Sequence, residues 1–393
     1  MTSFAQLGVR EELASALAGQ GIDVPFPIQA LTIGDALAGR DVCGKAETGS
    51  GKTLAFGLPL LQNARPSTRH SQPHGLILVP TRELASQVVA ELAPLGEAVG
   101  VRVVALYGGT SVDTDILRLR RGVEVVVATP GRLIDLLRRD SVSLGQVTTV
   151  VIDEADRMAD MGFLPQVDWI MRHLGTSRPQ TLLFSATLDH AVDVLVRHHL
   201  DDPVLHEVQS DSDTVEGMVH RFLAVHQMDR VRVAAAIARS AERTIVFTRT
   251  KRGADRLAEQ LHREGVRVKA IHGDLSQPAR EAAIRGFDKG RIEMLVATDI
   301  AARGIHIDDI DVVVHYDPPE DHKSYVHRSG RTARAGRTGV VATFVLWDQH
   351  VDVDRLKKRL ALDEPTVEVF SNDPRLADLS AFAAPVAVGS FAS

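Results

Sequence analysis

Three segments carry residue types suited to phosphate chemistry: AETGSGKT at 46–53, VVIDEAD at 150–156 and HRSGRTARAGR at 327–337. In the first, Ala46, Glu47, Thr48, Gly49, Ser50 and Gly51 form a loop whose glycines lack bulk, so backbone N–H groups can turn inward around phosphate oxygens. A helix starting near Lys52 adds its positive end; Lys52 suits the β- and γ-phosphates, and the Thr53 hydroxyl suits Mg²⁺. Ala46 stands where such loops usually begin with glycine, and it is small enough to keep the turn tight. In the second segment Asp153 and Glu154 close the apolar run Val150-Val151-Ile152. Adjacent carboxylates at the end of a buried strand are costly unless a cation and a reacting water share the site. That gives Asp153 the Mg²⁺ and Glu154 the orientation or deprotonation of the attacking water. Alone, the pair would equally suit a helix start; the glycine loop is what favours the metal. The third segment reads as an arginine-bearing lid for the same site.

Further short motifs follow in sequence: PTRELA at 80–85, Gly108-Gly109, TPGR at 129–132, SAT at 185–187, IVFTRT at 245–250, HGDLSQPAR at 272–280 and ATDIAARGIHI at 297–307. Together with Asp153-Glu154-Ala155-Asp156, in this order, they make the chain resemble the DEAD-box ATP-dependent RNA helicases from Phe4 to about residue 370. The resemblance implies ATP and Mg²⁺ as cofactors and RNA as partner. It implies an adenine-reading motif in Phe4, Gly21, Pro25, Ile28 and Gln29, with Ile22 where an aromatic is expected. The Gln29 amide could bond both the donor and the acceptor edge of adenine. Arg331 and Arg334 would reach the γ-phosphate, where a planar, permanently charged fork follows charge spreading onto the phosphoryl oxygens. His327 and Arg328 would couple that motif to the interface, and Asp299 and Gly304 match a ribose-side motif in which His306 replaces an aspartate.

By the same resemblance, RNA contacts fall to Thr81, Arg82, Gly109, Thr129, Gly131 and Arg132 in the first half, and to Arg249, Gly273, Gln277, Arg280 and Thr298 in the second. These offer hydroxyls, amides and guanidiniums rather than stacking rings, which implies sequence-independent backbone binding. Ser185 and Thr187 would link hydrolysis to RNA binding. Arg82 beside Glu83 also reads as a helix-start ion pair, and strand-end hydroxyls also cap turns.

These residues need a frame. At 393 residues the chain has room for two domains with separate cores. Strand-like segments at 41–46, 75–80, 123–130, 148–156 and 180–187, then at 243–250, 267–274, 292–299 and 311–319, alternate with amphipathic stretches, and nearly every one ends on a motif. Ligand residues at strand carboxyl ends predict open, mostly parallel sheets with helices on both faces. The expected fold is α/β, two tandem RecA-like domains at 1–208 and 215–370. They are divided by the polar stretch 201–217, and a short, poorly ordered tail is expected at 371–393.

Hydrophobic content of 44% with 4% aromatic residues fits such a fold. The single cysteine, Cys43, excludes an intrachain disulfide and reads as a buried small hydrophobe. No apolar run approaches the roughly 18 residues of a membrane span, and a cytoplasmic monomer is expected. The formal net charge of −6 is unlike a passive nucleic-acid binder. RNA affinity must therefore rest on local contacts, with protein cofactors as further candidate partners. The alternatives to an unwinding enzyme are an ATP-controlled RNA clamp and a DNA translocase.

Overall fold

The computed structural model describes residues 2–46, 49–64, 72–175, 178–208, 218–299, 310–332 and 339–381, the side chains of Gln277 and Lys323 excepted. Glu47, Thr48, Gly304, His306 and Arg334 lie outside the described residues. The chain divides into two units, Met1–Ser210 and Asp211–Ser393.

In the first unit the strands are β1 (Val42–Lys45), β2 (Gly75–Leu78), β3 (Val103–Leu106), β4 (Val125–Ala128), β5 (Thr149–Ile152), β6 (Gln180–Ser185) and β7 (Val204–Glu207). They form one seven-stranded sheet in the order β3-β4-β2-β5-β6-β1-β7, every pairing parallel. Parallel strands need crossover connections, and these are helices. Alternate strand residues point to opposite faces. Ile77, Val127, Val151 and Leu182 therefore pack on one side with Leu54, Leu58, Leu84 and Val88, whereas Leu76, Val126, Val150 and Leu183 pack on the other with Leu133, Leu136, Ile170 and Leu195. Both faces are covered, which explains why the strands read as continuous Val, Ile and Leu runs.

The second unit repeats the plan. Its strands are β8 (Met218–Val225), β9 (Thr244–Phe247), β10 (Val268–Ile271), β11 (Met294–Ala297), β12 (Val312–His315), β13 (Gly339–Val345) and β14 (Thr366–Val369). The order is β10-β11-β9-β12-β13-β8-β14, again parallel throughout. Val246, Val296, Val314 and Ala342 face one core, and Ile245, Leu295, Val313 and Val341 the other. The chain is thus two tandem RecA-like sheets, each with helices on both faces.

One expectation needs correction. The first part of the supposed disordered tail, 371–381, has a defined course. Ser371 donates to Asp229 from its N–H (2.7 Å) and its hydroxyl (2.8 Å), Leu376 and Leu379 are buried, and Arg221 donates to the carbonyls of Leu379 and Ser380. Two buried leucines and a guanidinium supply the anchoring that composition alone did not reveal. Among the described residues, no helix is long and apolar enough to cross a membrane.

Candidate active site

The phosphate loop joins β1 to the helix Lys52–Asn63. Gly49 (φ +88°) and Gly51 (φ +84°) adopt the left-handed conformation that only glycine enters without strain, and Gly51 is the N-cap of that helix. Lys52 is buried and donates from Nζ to the Ala46 carbonyl at 2.6 Å. Gln29, on the helix Pro27–Leu37, is also buried: its Nε2 donates to the Gly51 carbonyl (2.8 Å), and its Oε1 accepts from the Phe26 N–H (2.8 Å). The amide is therefore a strut between this helix start and the loop, with one further donor and one further acceptor position in its inventory. Phe4 is 3% exposed and built into the core.

At the end of β5 stand Asp153 and Glu154, both buried. The Glu154 N–H donates to Asp153 Oδ1 at 2.9 Å, and Glu154 itself has φ +51°, a conformation few residues other than glycine adopt. Its carboxylate forms a buried ion pair with Arg157, one turn along the helix Ala155–Asp160. Burial pushes the Asp153 carboxyl up to about 7; the Lys52 ammonium opposes this, and the charges of Glu154 and Asp156 add to it. A divalent cation would return such a group to its charged form. Burial pushes the Glu91 carboxyl up, and the neighbouring Thr53 hydroxyl pulls it down. Asp153 and Thr53 thus fit Mg²⁺, which takes one or two protein oxygens and fills the rest with phosphate and water.

Asp156 ties this centre to β6. Its N–H donates to Ser185 Oγ (3.2 Å), and its Oδ2 accepts from the Thr187 N–H (3.2 Å) and hydroxyl (3.4 Å). Of the hydroxyls named for coupling, Thr187 therefore touches the third carboxylate of the Asp153–Asp156 run, and Ser185 holds that residue's backbone.

Of the RNA candidates in the first unit, Thr81 caps the helix Arg82–Ala98, accepting from the Leu84 N–H at 3.2 Å. The Arg82 guanidinium lies against Gly109: a Cβ there would sit 2.2 Å from its Nη1, and Gly109 has φ +91°. Thr129 is the N-cap of Pro130–Arg138, and Gly131 in the first turn has nothing within 4 Å of a built Cβ, so protein packing does not require a glycine there. Arg132 differs: it is buried in an ion pair with Asp115 and donates to the Thr110 carbonyl at 2.7 Å, so its charge is already matched by protein.

In the second unit Arg249 follows β9, its N–H donating to Asp317 (2.8 Å) and its side chain reaching Glu320 at 3.4 Å. Gly273 follows β10, Gln277 and Arg280 open the helix Gln277–Asp288, and Thr298 follows β11. Asp299 receives a two-point contact from Arg328 (2.6 and 2.7 Å), whose third nitrogen donates to the Asp317 carbonyl at 2.7 Å. His327 and Arg328 lie on the helix His322–Ser329, and buried Arg331 follows it. The same helix is anchored in the sheet by Tyr325, which pairs with His220 (2.8 Å) and meets the His315 ring edge-on at 4.8 Å. Sequence reading missed Arg157 and this aromatic anchor. The i, i+3 spacing of Arg157 from Glu154 was the available signal for the former.

Comparison with known proteins agrees with this geometry. Residues 26–195 match the DEAD/DEAH box helicase family profile, and 227–336 the helicase conserved C-terminal domain. A DEAD-box ATP-dependent RNA helicase CshA of Geobacillus kaustophilus is 40% identical over 375 residues, 94% of this chain and 80% of that one. Its Bacillus cereus counterpart is 39% identical over 94% and 71%. Among solved structures, S. cerevisiae Dbp5 bound to RNA and ADP BeF3 superposes with TM-score 0.81 at 29% identity, covering 95% of this chain and 97% of that one. A DEAD box protein from Methanococcus jannaschii superposes with 0.52 at 30% identity, covering 94% and 99%. With both family profiles matched and such relatives spanning nearly its whole length, the chain belongs to the DEAD/DEAH box helicase family.

Proposed function

We propose that the chain is an RNA-stimulated ATPase that separates short RNA duplexes or remodels ribonucleoprotein. The observation that carries this reading is the Asp156 bridge: its N–H donates to Ser185 Oγ, its carboxylate accepts from Thr187 and from the Arg157 N–H, and Arg157 pairs with Glu154, so the residues assigned to coupling have a hydrogen-bonded route to the chemistry. The loop N–H groups and Lys52 hold the triphosphate, and Glu154 orients water in line with the γ-phosphorus. As the water oxygen attacks, Glu154 takes its proton, the bond to the β–γ bridging oxygen breaks, and ADP and phosphate leave. Mg²⁺, held by Asp153 and Thr53, would neutralise charge on the phosphate oxygens. Arg331, with Arg334, is assigned to the γ-phosphate charge that develops in the same step.

RNA is gripped by its backbone through the strand-end hydroxyls, glycine N–H groups and arginines, without base reading. A monomer suffices, since one chain supplies every motif. The cytoplasm is the proposed site of action, and protein cofactors remain candidate partners.

Strand displacement with matched short RNA and DNA duplexes tests this reading. ATP-dependent release of the RNA strand, with the DNA duplex left intact, is expected. Hydrolysis and RNA retention without displacement would instead make the chain a clamp, and equal release of DNA would make it a DNA translocase.

A further inference from the structure

Helix starts favour Ser, Thr, Asp or Asn, because a side-chain oxygen there satisfies first-turn N–H groups. The helix Pro27–Leu37 starts instead on Phe26, which has no side-chain acceptor and is 53% exposed. This breaks two local rules at once, a missing cap and an apolar ring in solvent, and nothing in the helix compensates beyond Gln29 reaching back to the Phe26 N–H. Violations of this kind concentrate where function requires them. Phe26 is also the only exposed aromatic among the described residues of the first unit. Its ring is pressed against the phosphate loop: a Cβ at Gly51 would lie 2.6 Å from Phe26 Cδ2 and 2.4 Å from Gln29 Nε2. A nucleotide whose phosphates rest on the loop N–H groups leaves its ribose and base at the rim of that loop. Neither of the other positions considered for an aromatic contact offers a ring there, Phe4 being buried in the core and position 22 being isoleucine.

We infer that Phe26 is a nucleotide-binding residue of this chain, its ring forming an aromatic wall against the nucleoside half of ATP. Gly51 is glycine partly so that this ring can close on the loop. The inference rests on the nucleotide site proposed above and adds a specificity contact to it. Base–aromatic stacking is sequence-tolerant and strong enough to set affinity, so Phe26 governs how tightly the nucleoside is held while the loop governs the phosphates.

Full-length Phe26→Ala, Phe26→Thr and Phe26→Tyr, titrated by calorimetry with MgATP, MgADP and magnesium inorganic triphosphate, test it. The Ala and Thr variants should bind MgATP and MgADP about tenfold more weakly, which is about 1.4 kcal/mol, and inorganic triphosphate as the parent does. The Tyr variant should bind all three as the parent does. Phe26→Thr restores a cap oxygen and should melt no lower than the parent, so its loss of affinity cannot come from unfolding. Unchanged MgATP affinity, or an equal loss for inorganic triphosphate, would overturn the inference, the latter making Phe26 a prop for the loop. Failure of the parent protein to bind MgATP would overturn the nucleotide site itself.

Discussion

Glu154 is asked to take a proton from water, yet its carboxylate is buried against Arg157. Removing one partner of a buried pair strands the other charge. Arg157→Gln should therefore destabilise the first unit by about 3 kcal/mol, read as a lowered urea midpoint; an unchanged midpoint would show that other groups compensate Glu154. Gly109 makes a sharper case, because its φ of +91° strains any other residue and a Cβ there, 2.2 Å from the Arg82 guanidinium, would push that side chain aside. Gly109→Ala should cost about 1–2 kcal/mol of stability from the left-handed backbone and displace Arg82. RNA affinity should then fall while MgATP affinity holds. If RNA binding survives intact, Arg82 is not a contact. Residue types in the phosphate loop and at Asp153–Asp156 were legible in sequence because their chemistry is local. The ion pair of Arg132 with Asp115 was not, because only the fold brings the two together.

At the scale of elements, the strands that end on motifs were readable as unbroken apolar runs, since both faces of each sheet are covered. Strand β8, MVHRFLAV, was hidden because His220 and Arg221 interrupt its pattern. Their roles appear only in three dimensions, His220 against Tyr325 and Arg221 against the carbonyls of Leu379 and Ser380. The helix His322–Ser329, which leads into Arg331, depends on this polar core. His315 there is fully buried, and its pKa is held well below the ordinary value by burial, then by the charges of Arg328 and His220. The unfolded chain takes up a proton near the ordinary value of about 6.5, whereas the folded chain does so only at lower pH. Stability is therefore full above that value and falls as pH drops below it, by at most about 1.4 kcal/mol per pH unit for one proton. His315→Asn should flatten this acid slope for the second unit in denaturant titrations between pH 7 and 5. Parallel curves for parent and variant would show that His315 is not the group responsible.

For the molecule as a whole, an acidic chain must bind a polyanion through few contacts. Arg132 is spent on Asp115, which leaves Arg82, Arg249 and Arg280 as the cationic RNA candidates. Three neutralised phosphates on a single strand give a slope of log affinity against log salt of about −2, using −0.7 each. RNA titrations with a non-hydrolysable ATP analogue across a salt series measure it, and a slope steeper than about −6 would place the binding on a basic surface outside the motifs. The course of 371–381 was not readable in sequence, because burial of Leu376 and Leu379 depends on the whole second unit. The most direct test of the account is ATP turnover with and without RNA, in the parent and in Glu154→Gln. The substitution keeps the side chain's size and leaves Lys52 and Asp153 to hold MgATP. The account predicts strong RNA stimulation in the parent, and in the variant near-abolished turnover with retained, ATP-dependent RNA binding; near-normal turnover by Glu154→Gln would contradict it.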